Sequence, residues 1–374
     1  MLVLNNVPKL KVAIVHYWLV NMRGGENVVE ALCELYPQAE IFTHVYVPEA
    51  VSQTIRNHKV HTTFIQNLPK ADKLYQSYLP LMPLALQQLD LRAFDLVISS
   101  ESGPAKGVVV APEARHICYC HSPMRYVWDM YPDYLANAGR FKRWLMPPLI
   151  HYLRMWDYCT AGGVDQFVAN SHFVSSRIQR YYRREATVIA PPVNTHAFKP
   201  AQEVGDFYLL FGQLVTYKRP DLVVQAFKET GRKLVVIGEG EMSAALKKQG
   251  ADHIIFMGRQ PFAVVQEYLA KCKALIFPGL EDFGIVPIEA MASGRPVIAY
   301  GRGGVLDSVI DGQTGLFFHE QSVEALNSAL DVFEQSFENF DPVKIAHHAE
   351  QFSKERFKNE FMALVDGILN ERKK

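Results

Sequence analysis

Cysteine is scarce in this chain. Five residues among 374, at positions 33, 118, 120, 159 and 272, are too few and too scattered for a disulfide framework. Their odd number fits reduced thiols in a cytoplasm-like compartment, and a cytoplasmic location is expected. Charge of one sign is not in excess either, since Lys+Arg and Asp+Glu both number 39. Net charge thus gives no reason to expect nucleic acid or a strongly acidic partner. No run approaches the roughly 18 apolar residues that a membrane span needs. The opening MLVLNNVPKL is read as too short in its apolar part for a signal peptide and as leading into a strand. Repeats and low-complexity tracts are lacking as well. A soluble protein is expected, with peripheral contact to a membrane left open.

Apolar residues make up 49% of the chain, ample for sizeable cores. The length fits two domains of roughly 100–200 residues each. Short apolar runs recur with helical segments between them. KVAIVHY (11–17), AEIFTHV, FDLVISS, ARHICYC and DQFVANS read as strands in the first half. The Gly24-Gly25 loop opens an amphipathic stretch, ENVVEALCELY, and SHFVSSRIQRYY has helical spacing behind a Ser171 or Ser175 cap. A stretch with three prolines and few apolar residues, near 191–205, is the expected linker. FYLLFGQL, KLVVIGEG, HIIFMG, ALIFPG and PVIAY then restart the strand pattern. Alternating β and α with continuously apolar strands predicts an α/β protein, with parallel sheets covered by helices on both faces. We expect two such domains facing each other across a cleft, over 1–192 and 193–352, and a C-terminal helix over 353–374. Ligands of such sheets bind outside the carboxyl ends of the strands, so the chemistry belongs in the loops that follow them.

GLEDFGIVPIEAMASGRP (279–296) follows one of those strands. Gly284 removes a side chain where a ligand approaches the backbone. Pro287 suits the first turn of a helix, and Gly294 ends it. The start of that helix offers free N–H groups and the positive end of a dipole, an anion site. Glu281 lies just before the helix and Glu289 inside it, flanking that position. Carboxylates in such a setting accept hydrogen bonds from sugar hydroxyls.

This segment resembles the E-x7-E signature of retaining glycosyltransferases of family 4 (GT4, group 1), which have the GT-B fold of two Rossmann-like domains. FGQLVTYKRPDLVVQAF, VVIGEGE, EDFGIVPIEAMASGRPVIAYGRGG and DGQTGLFF all resemble the C-terminal domain of that family, in the expected order. RGGENVVEALCELYP and CYCHSPMRYVWDMYPDYL resemble its bacterial mannosyltransferase-type branch, which builds O-antigen, lipopolysaccharide and exopolysaccharide. The resemblance implies that Glu281 contacts the donor sugar near its O3 and that Glu289 binds the ribose hydroxyls. The backbone of Phe283, Gly284, Ile285 and Val286 would hold the diphosphate and sugar. Lys218 would face the β-phosphate, where an ammonium suits the charge that grows on a leaving diphosphate. Gln213 stands where the family usually has an arginine. Arg219 is the candidate to supply that second charge, against the bland reading of a surface charge at a helix start. Gly24 and Gly25 would approach the diphosphate and acceptor, or form a plain turn. Glu239 and Gly240 would line the nucleotide pocket, and Arg259 is a candidate contact to the base.

The family generally needs no catalytic metal, and Asp-x-Asp does not occur in the chain. The implied partners are a nucleoside diphosphate sugar, GDP-mannose first, and a glycan or polyprenyl-linked acceptor. No cofactor is expected. A UDP-sugar transferase, a sugar-nucleotide epimerase of the same fold and a non-catalytic sugar-binding homologue remain alternatives. A nicotinamide oxidoreductase is disfavoured, because no G-x-G-x-x-G follows KVAIVHY.

CYCHSPMRYVWD (118–129) crowds two cysteines and a histidine together. Cys118 and Cys120 lie two apart on a strand and share a face, as core thiols would. Zinc needs about four ligands and no second cluster has the spacing. His121 is the first residue off the strand. It matches a family histidine that contacts the donor sugar near O6, with a satisfied structural histidine as the alternative. Arg125 would contact the acceptor or pair at the surface. GRFKRWLMPPLIHYLRMWDY (139–158) interleaves Arg140, Lys142, Arg143 and Arg154 with Phe141, Trp144, Tyr152 and Trp156. Such a mixture suits a membrane interface, hence possible peripheral association with the inner face of the membrane, or equally an ordinary core helix with a solvated basic side.

Overall fold

The computed structural model describes residues 10–136, 139–201 and 203–371. Its chain falls into two compact units, Met1–Pro191 with Lys358–Lys374, and Pro192–Phe357.

In the first unit the apolar runs become strands with both faces covered. β1 (Val12–His16) and β4 (Leu96–Glu101) are buried along their whole length. Between them come β2 (Glu40–Thr43) and β3 (Lys59–Thr62), and after them β5 (Arg115–Cys120), β6 (Gln166–Ala169) and β7 (Ala186–Val188). All seven are parallel, in the order β3-β2-β1-β4-β5-β6-β7. The connections out of the neighbouring strands β1 and β4 run in opposite directions, from β1 to β2 on one side and from β4 to β5 on the other. Such a reversal opens a crevice at the carboxyl ends of the central strands. His16 and Ser100 face each other across that pair, at its carboxyl end.

The second unit repeats the plan with β8 (Tyr208–Phe211), β9 (Leu234–Ile237), β10 (Ile254–Gly258), β11 (Leu275–Phe277), β12 (Val297–Tyr300) and β13 (Gly315–Phe318). The order is β10-β9-β8-β11-β12-β13, again parallel, so the reversal falls between β8 and β11. Every run read as a strand from sequence forms one. β3 and β7, not expected from the sequence, are the edge strands of the first sheet, and neither has a buried residue.

Caps follow the sequence signals. Ser171 Oγ accepts from the N–H of Val174 at 3.0 Å and starts the helix His172–Tyr182. Ser171 rather than Ser175 is therefore the cap. The last helix, Lys354–Glu371, packs on the first unit, where Phe361 is fully buried 6.5 Å from the ring of Tyr119. Lys358 Nζ reaches Glu34 Oε2 there at 2.9 Å.

Candidate active site

Two groups of side chains sit at the two strand-order reversals. In the second unit, the turn after β8 and the loop after β11 supply Lys218 and Glu281. Their Nζ and Oε1 are 2.8 Å apart, and each side chain is 21% exposed. Both line one cavity with Gly212, Gln213, Leu214, Pro278 and Gly279. Thr216 donates its N–H and its hydroxyl to Glu241 Oε1 at 3.3 and 3.0 Å, which fixes the turn carrying Lys218.

Glu281 is placed by a glycine pair that sequence reasoning gave no role of its own. Gly304 N donates to Glu281 O at 2.9 Å. A Cβ on Gly304 would lie 2.2 Å from Asp282 O, and one on Gly303, at φ +86, would lie 2.5 Å from Glu281 O. Only glycine lets the turn before the short helix Gly304–Asp307 press so closely on this loop. Gly284, at φ +94, then caps the helix Ile285–Ala292. The side chain of Phe283 is turned into the core against Phe352, which leaves its backbone for any ligand. Glu289 sits one turn into that helix, half-buried. Burial pushes its carboxyl up to about 7, and among the described residues no cation or donor offsets it.

The structure does not bring Arg219 to this cavity. Its backbone is left-handed (φ 52), and its guanidinium grips Asp221, with Nη2 3.1 Å from Oδ2. Asp221 in the first turn of the same helix holds its charge, so Arg219 does not line the cavity with Lys218 and Gln213. Glu239 and Gly240 line a neighbouring pocket with Leu214, Ser243 and Lys247. Arg259 is exposed just beyond β10, next to Gly258 of that pocket.

In the first unit, His121 leaves β5 beside the ends of β1 and β4. Its Nε2 is 2.8 Å from Ser100 Oγ, which in turn is 3.1 Å from His16 Nδ1. Burial, and then His16, pushes the His121 imidazole down to about 3, so it stays neutral. Gly25 lies over both rings; a Cβ there would meet Tyr17 Oη at 2.9 Å. Gly24 starts the helix Gly24–Leu35. The backbone after His121 is pinned: Asn170 Nδ2 donates to His121 O at 3.0 Å, and Arg177 reaches Ser122 Oγ and Asp129 Oδ1 at 2.5 Å each. Arg125 is half-buried in this loop. Cys118 and Cys120 are fully buried in one cluster with Phe167, Val174, Ile178 and Tyr182. Among the described residues no group of three His, Cys, Asp or Glu side chains has the geometry to hold a metal ion.

Beneath this site lies a network absent from the sequence reading. Lys106, fully buried, binds Asp157 and is 3.5 Å from Glu101 Oε1. Trp128 Nε1 and Tyr182 Oη also donate to Asp157, at 2.7 and 2.9 Å. Glu101, at the end of β4, is pushed up to about 7 by burial despite the lysine. These residues come from five separate segments of the chain, so only the tertiary fold shows the connection.

The two halves match two family models: Glycosyltransferase Family 4 over residues 22–197 and Glycosyl transferases group 1 over 194–343. An uncharacterized glycosyltransferase of Methanocaldococcus jannaschii is 29% identical over 171 residues, 44% of this chain and 48% of that protein. A GDP-mannose-dependent alpha-(1-6)-phosphatidylinositol monomannoside mannosyltransferase of Mycolicibacterium smegmatis is 26% identical over 192 residues, 43% of this chain and 50% of that protein. The chain thus spans about half the length of the curated relatives it matches. The crystal structure of HepE from Anabaena in complex with UDP aligns at a TM-score of 0.71 and 13% identity, covering 96% of this chain and 100% of that one. Two parallel-sheet Rossmann-like units and this likeness make the fold GT-B. Each half of the chain is thus similar to one glycosyltransferase family model, Family 4 in the first half and group 1 in the second.

Proposed function

We propose that the chain is a retaining glycosyltransferase that moves a hexose from a nucleoside diphosphate to a hydroxyl of a glycan or polyprenyl-linked acceptor in surface polysaccharide synthesis. The observation that carries this reading is the Lys218–Glu281 pair at the β8/β11 reversal, beside the start of the helix Ile285–Ala292. On donor binding, Lys218 exchanges its carboxylate partner for the β-phosphate, and Glu281 exchanges its ammonium for sugar hydroxyls. The positive helix end and the Lys218 ammonium stabilise the charge growing on the leaving diphosphate. Glu289 accepts the ribose hydroxyls, which supply the donors its buried carboxyl lacks. His121 takes the sugar contact that the family resemblance implies. The departing diphosphate receives the acceptor proton, so no separate general base is needed.

For the donor, GDP-mannose is our first choice, supported by the mycobacterial relative's GDP-mannose dependence; the UDP bound to HepE favours a UDP sugar as the second reading. A thermal-shift panel of GDP, UDP, ADP and dTDP tests both, because a ligand that binds only the folded protein raises its melting temperature. A GDP-selective shift supports the first choice. A UDP-only shift replaces it, and no shift with any nucleotide overturns the transferase reading.

Peripheral membrane contact is part of the same reading. No helix among the described residues is long and apolar enough to cross a membrane. The helix Arg140–Thr160 buries Ile150, Leu153 and Asp157, yet its opposite face exposes Trp144 (76%), Tyr152 (46%) and Met155 (56%). Exposed Arg140 and Arg143 lie at one end. Arg154 does not contribute, because its Nε and Nη2 are turned inward onto Val127 O, at 3.2 and 2.6 Å. Trp156 likewise packs inward. The side chains of Phe141 and Lys142 lie outside the described residues.

A further inference from the structure

We propose that Glu26, acting through His16 and Ser100, fixes the tautomer of His121 so that its bare Nδ1 faces the ligand as a hydrogen-bond acceptor. The inference rests on the reading that His121 touches the donor sugar, and it deepens that reading. His16, Ser100 and Glu26 are positioning residues, acting through His121.

A serine hydroxyl has one proton to give and lone pairs to receive others. Ser100 Oγ lies between His16 Nδ1, at 3.1 Å, and His121 Nε2, at 2.8 Å. It therefore donates to one ring and accepts from the other, and two opposite arrangements are open. The choice is made at the far end of the row. His16 Nε2 is buried, has no hydrogen-bond partner, and lies 4.0 Å from Glu26 Oε1, with side chains 0% and 3% exposed. A carboxylate attracts an N–H at that range and repels a lone pair, and low local polarity strengthens the difference.

Glu26 itself is held in place. Its Oε2 accepts from Arg23 N at 3.0 Å, and it sits in the first turn of the helix Gly24–Leu35, where the dipole favours a negative charge. His16 accordingly carries its proton on Nε2, and its Nδ1 accepts from Ser100. The Ser100 oxygen then accepts from Nε2–H of His121, and Nδ1 of His121 is left without a proton. Among the described residues nothing donates to that nitrogen. A sugar hydroxyl does so in the bound complex, whereas a carbonyl or other acceptor in the same place would face a lone pair. The row thus makes His121 selective for a hydroxyl at that position. A doubly protonated His16 would reverse every step and leave His121 with Nδ1–H.

The test is a long-range 1H–15N correlation spectrum of the full chain with 15N-labelled histidine near pH 7.5, with His121 and His16 assigned through His121→Asn and His16→Asn. The expected spectrum shows His121 with Nε2 protonated and Nδ1 at the far downfield position of a bare, pyridine-like nitrogen. Ser100→Ala and Glu26→Gln should both move the two nitrogens towards exchange-averaged positions. A wild-type spectrum with Nε2 bare, or one unaltered in both variants, overturns the proposal. Should either variant fail to fold, the wild-type spectrum alone decides. Activity of His121→Ala is read separately: normal transfer removes the catalytic reading of His121, while the spectrum still decides the tautomer.

Discussion

Lys218 and Glu281 satisfy each other across the end of the second sheet, Nζ to Oε1 at 2.8 Å. The site thereby holds a lysine and a carboxylate as an ion pair, each side chain 21% exposed. Pairs this open to solvent add about 0–1 kcal/mol, so the contact contributes little to stability. Glu281→Ala should therefore melt within a few degrees of the parent while transfer falls by roughly 10²–10³-fold or more, the scale of losing one electrostatic contact to a transition state. Steady-state kinetics on the folded variant checks this, and normal transfer would sink the assignment.

Glu289 gives a pH-dependent prediction. Its folded carboxyl titrates at about 7 against 4.5 as the ordinary value, so between those pH values the folded state holds a proton that the unfolded state has lost. Stability contributed by this group is full below about 4.5 and is lost as pH rises through about 7. Glu289→Gln should relieve an amount of order 1–3 kcal/mol at pH 8 and nothing at pH 4, read from urea unfolding at both. The same variant should raise KM for the nucleotide sugar more than it lowers kcat. Nucleotide binding to the parent should release protons near pH 7, measurable by titration calorimetry in buffers of different ionisation enthalpy.

His121 should contribute no limb to the rate profile between pH 6 and 8, since its imidazole is held at about 3. Between about 3 and 6.5 the unfolded ring binds a proton that the folded one refuses. Its effect on stability therefore appears only as a loss when pH falls below 6.5. His121→Ala should be strongly impaired in transfer. Cys118→Ala, which trims one thiol from an apolar cluster, should cost about 1 kcal/mol of stability and leave the rate close to the parent's. Chelators are expected to leave activity intact.

Lys106→Met removes the only described cation of a fully buried trio and strands Asp157 and Glu101 without it. Breaking such a pair costs about 3–5 kcal/mol. The urea midpoint should fall accordingly at pH 8. The loss should be smaller near pH 5, where Glu101, already pushed up to about 7, is protonated and neutral.

Trp144→Ser combined with Arg143→Glu should reduce co-sedimentation with liposomes of anionic lipid at low salt. Both side chains are exposed, so folding should be unaffected. Failure of the parent itself to sediment would remove the membrane part of the proposal.

The legible part of the molecule is the part whose information is local. Glu281 and Glu289 stand in one segment with their glycines and proline, and the strands with continuous apolar runs declare themselves. β3 and β7 do not, because an edge strand with half-exposed residues needs no such run. The Lys106–Asp157 contact and the His16–Ser100–His121 row join residues far apart in the chain. Each member alone looks like an ordinary polar residue in an apolar stretch. Arg219 is the opposite case: it follows Lys218 directly in sequence, yet from its left-handed backbone its side chain is paired with Asp221. The sequence reading separated His121 from the two cysteines beside it, which the pleat of β5 places in the core.

The return of the last helix to the first unit sets an order of events during synthesis. Phe361 and Val365 are buried in a unit that, apart from the segment Lys358–Lys374, lies wholly before position 192. A growing chain can close the second unit as soon as Phe357 has emerged, but the first must wait for residues made after it. Domains usually fold in the order in which they are translated. Here the unit begun first is the one completed last, so a ribosome stalled near position 350 would leave the earlier half, rather than the later one, with an unfilled apolar face.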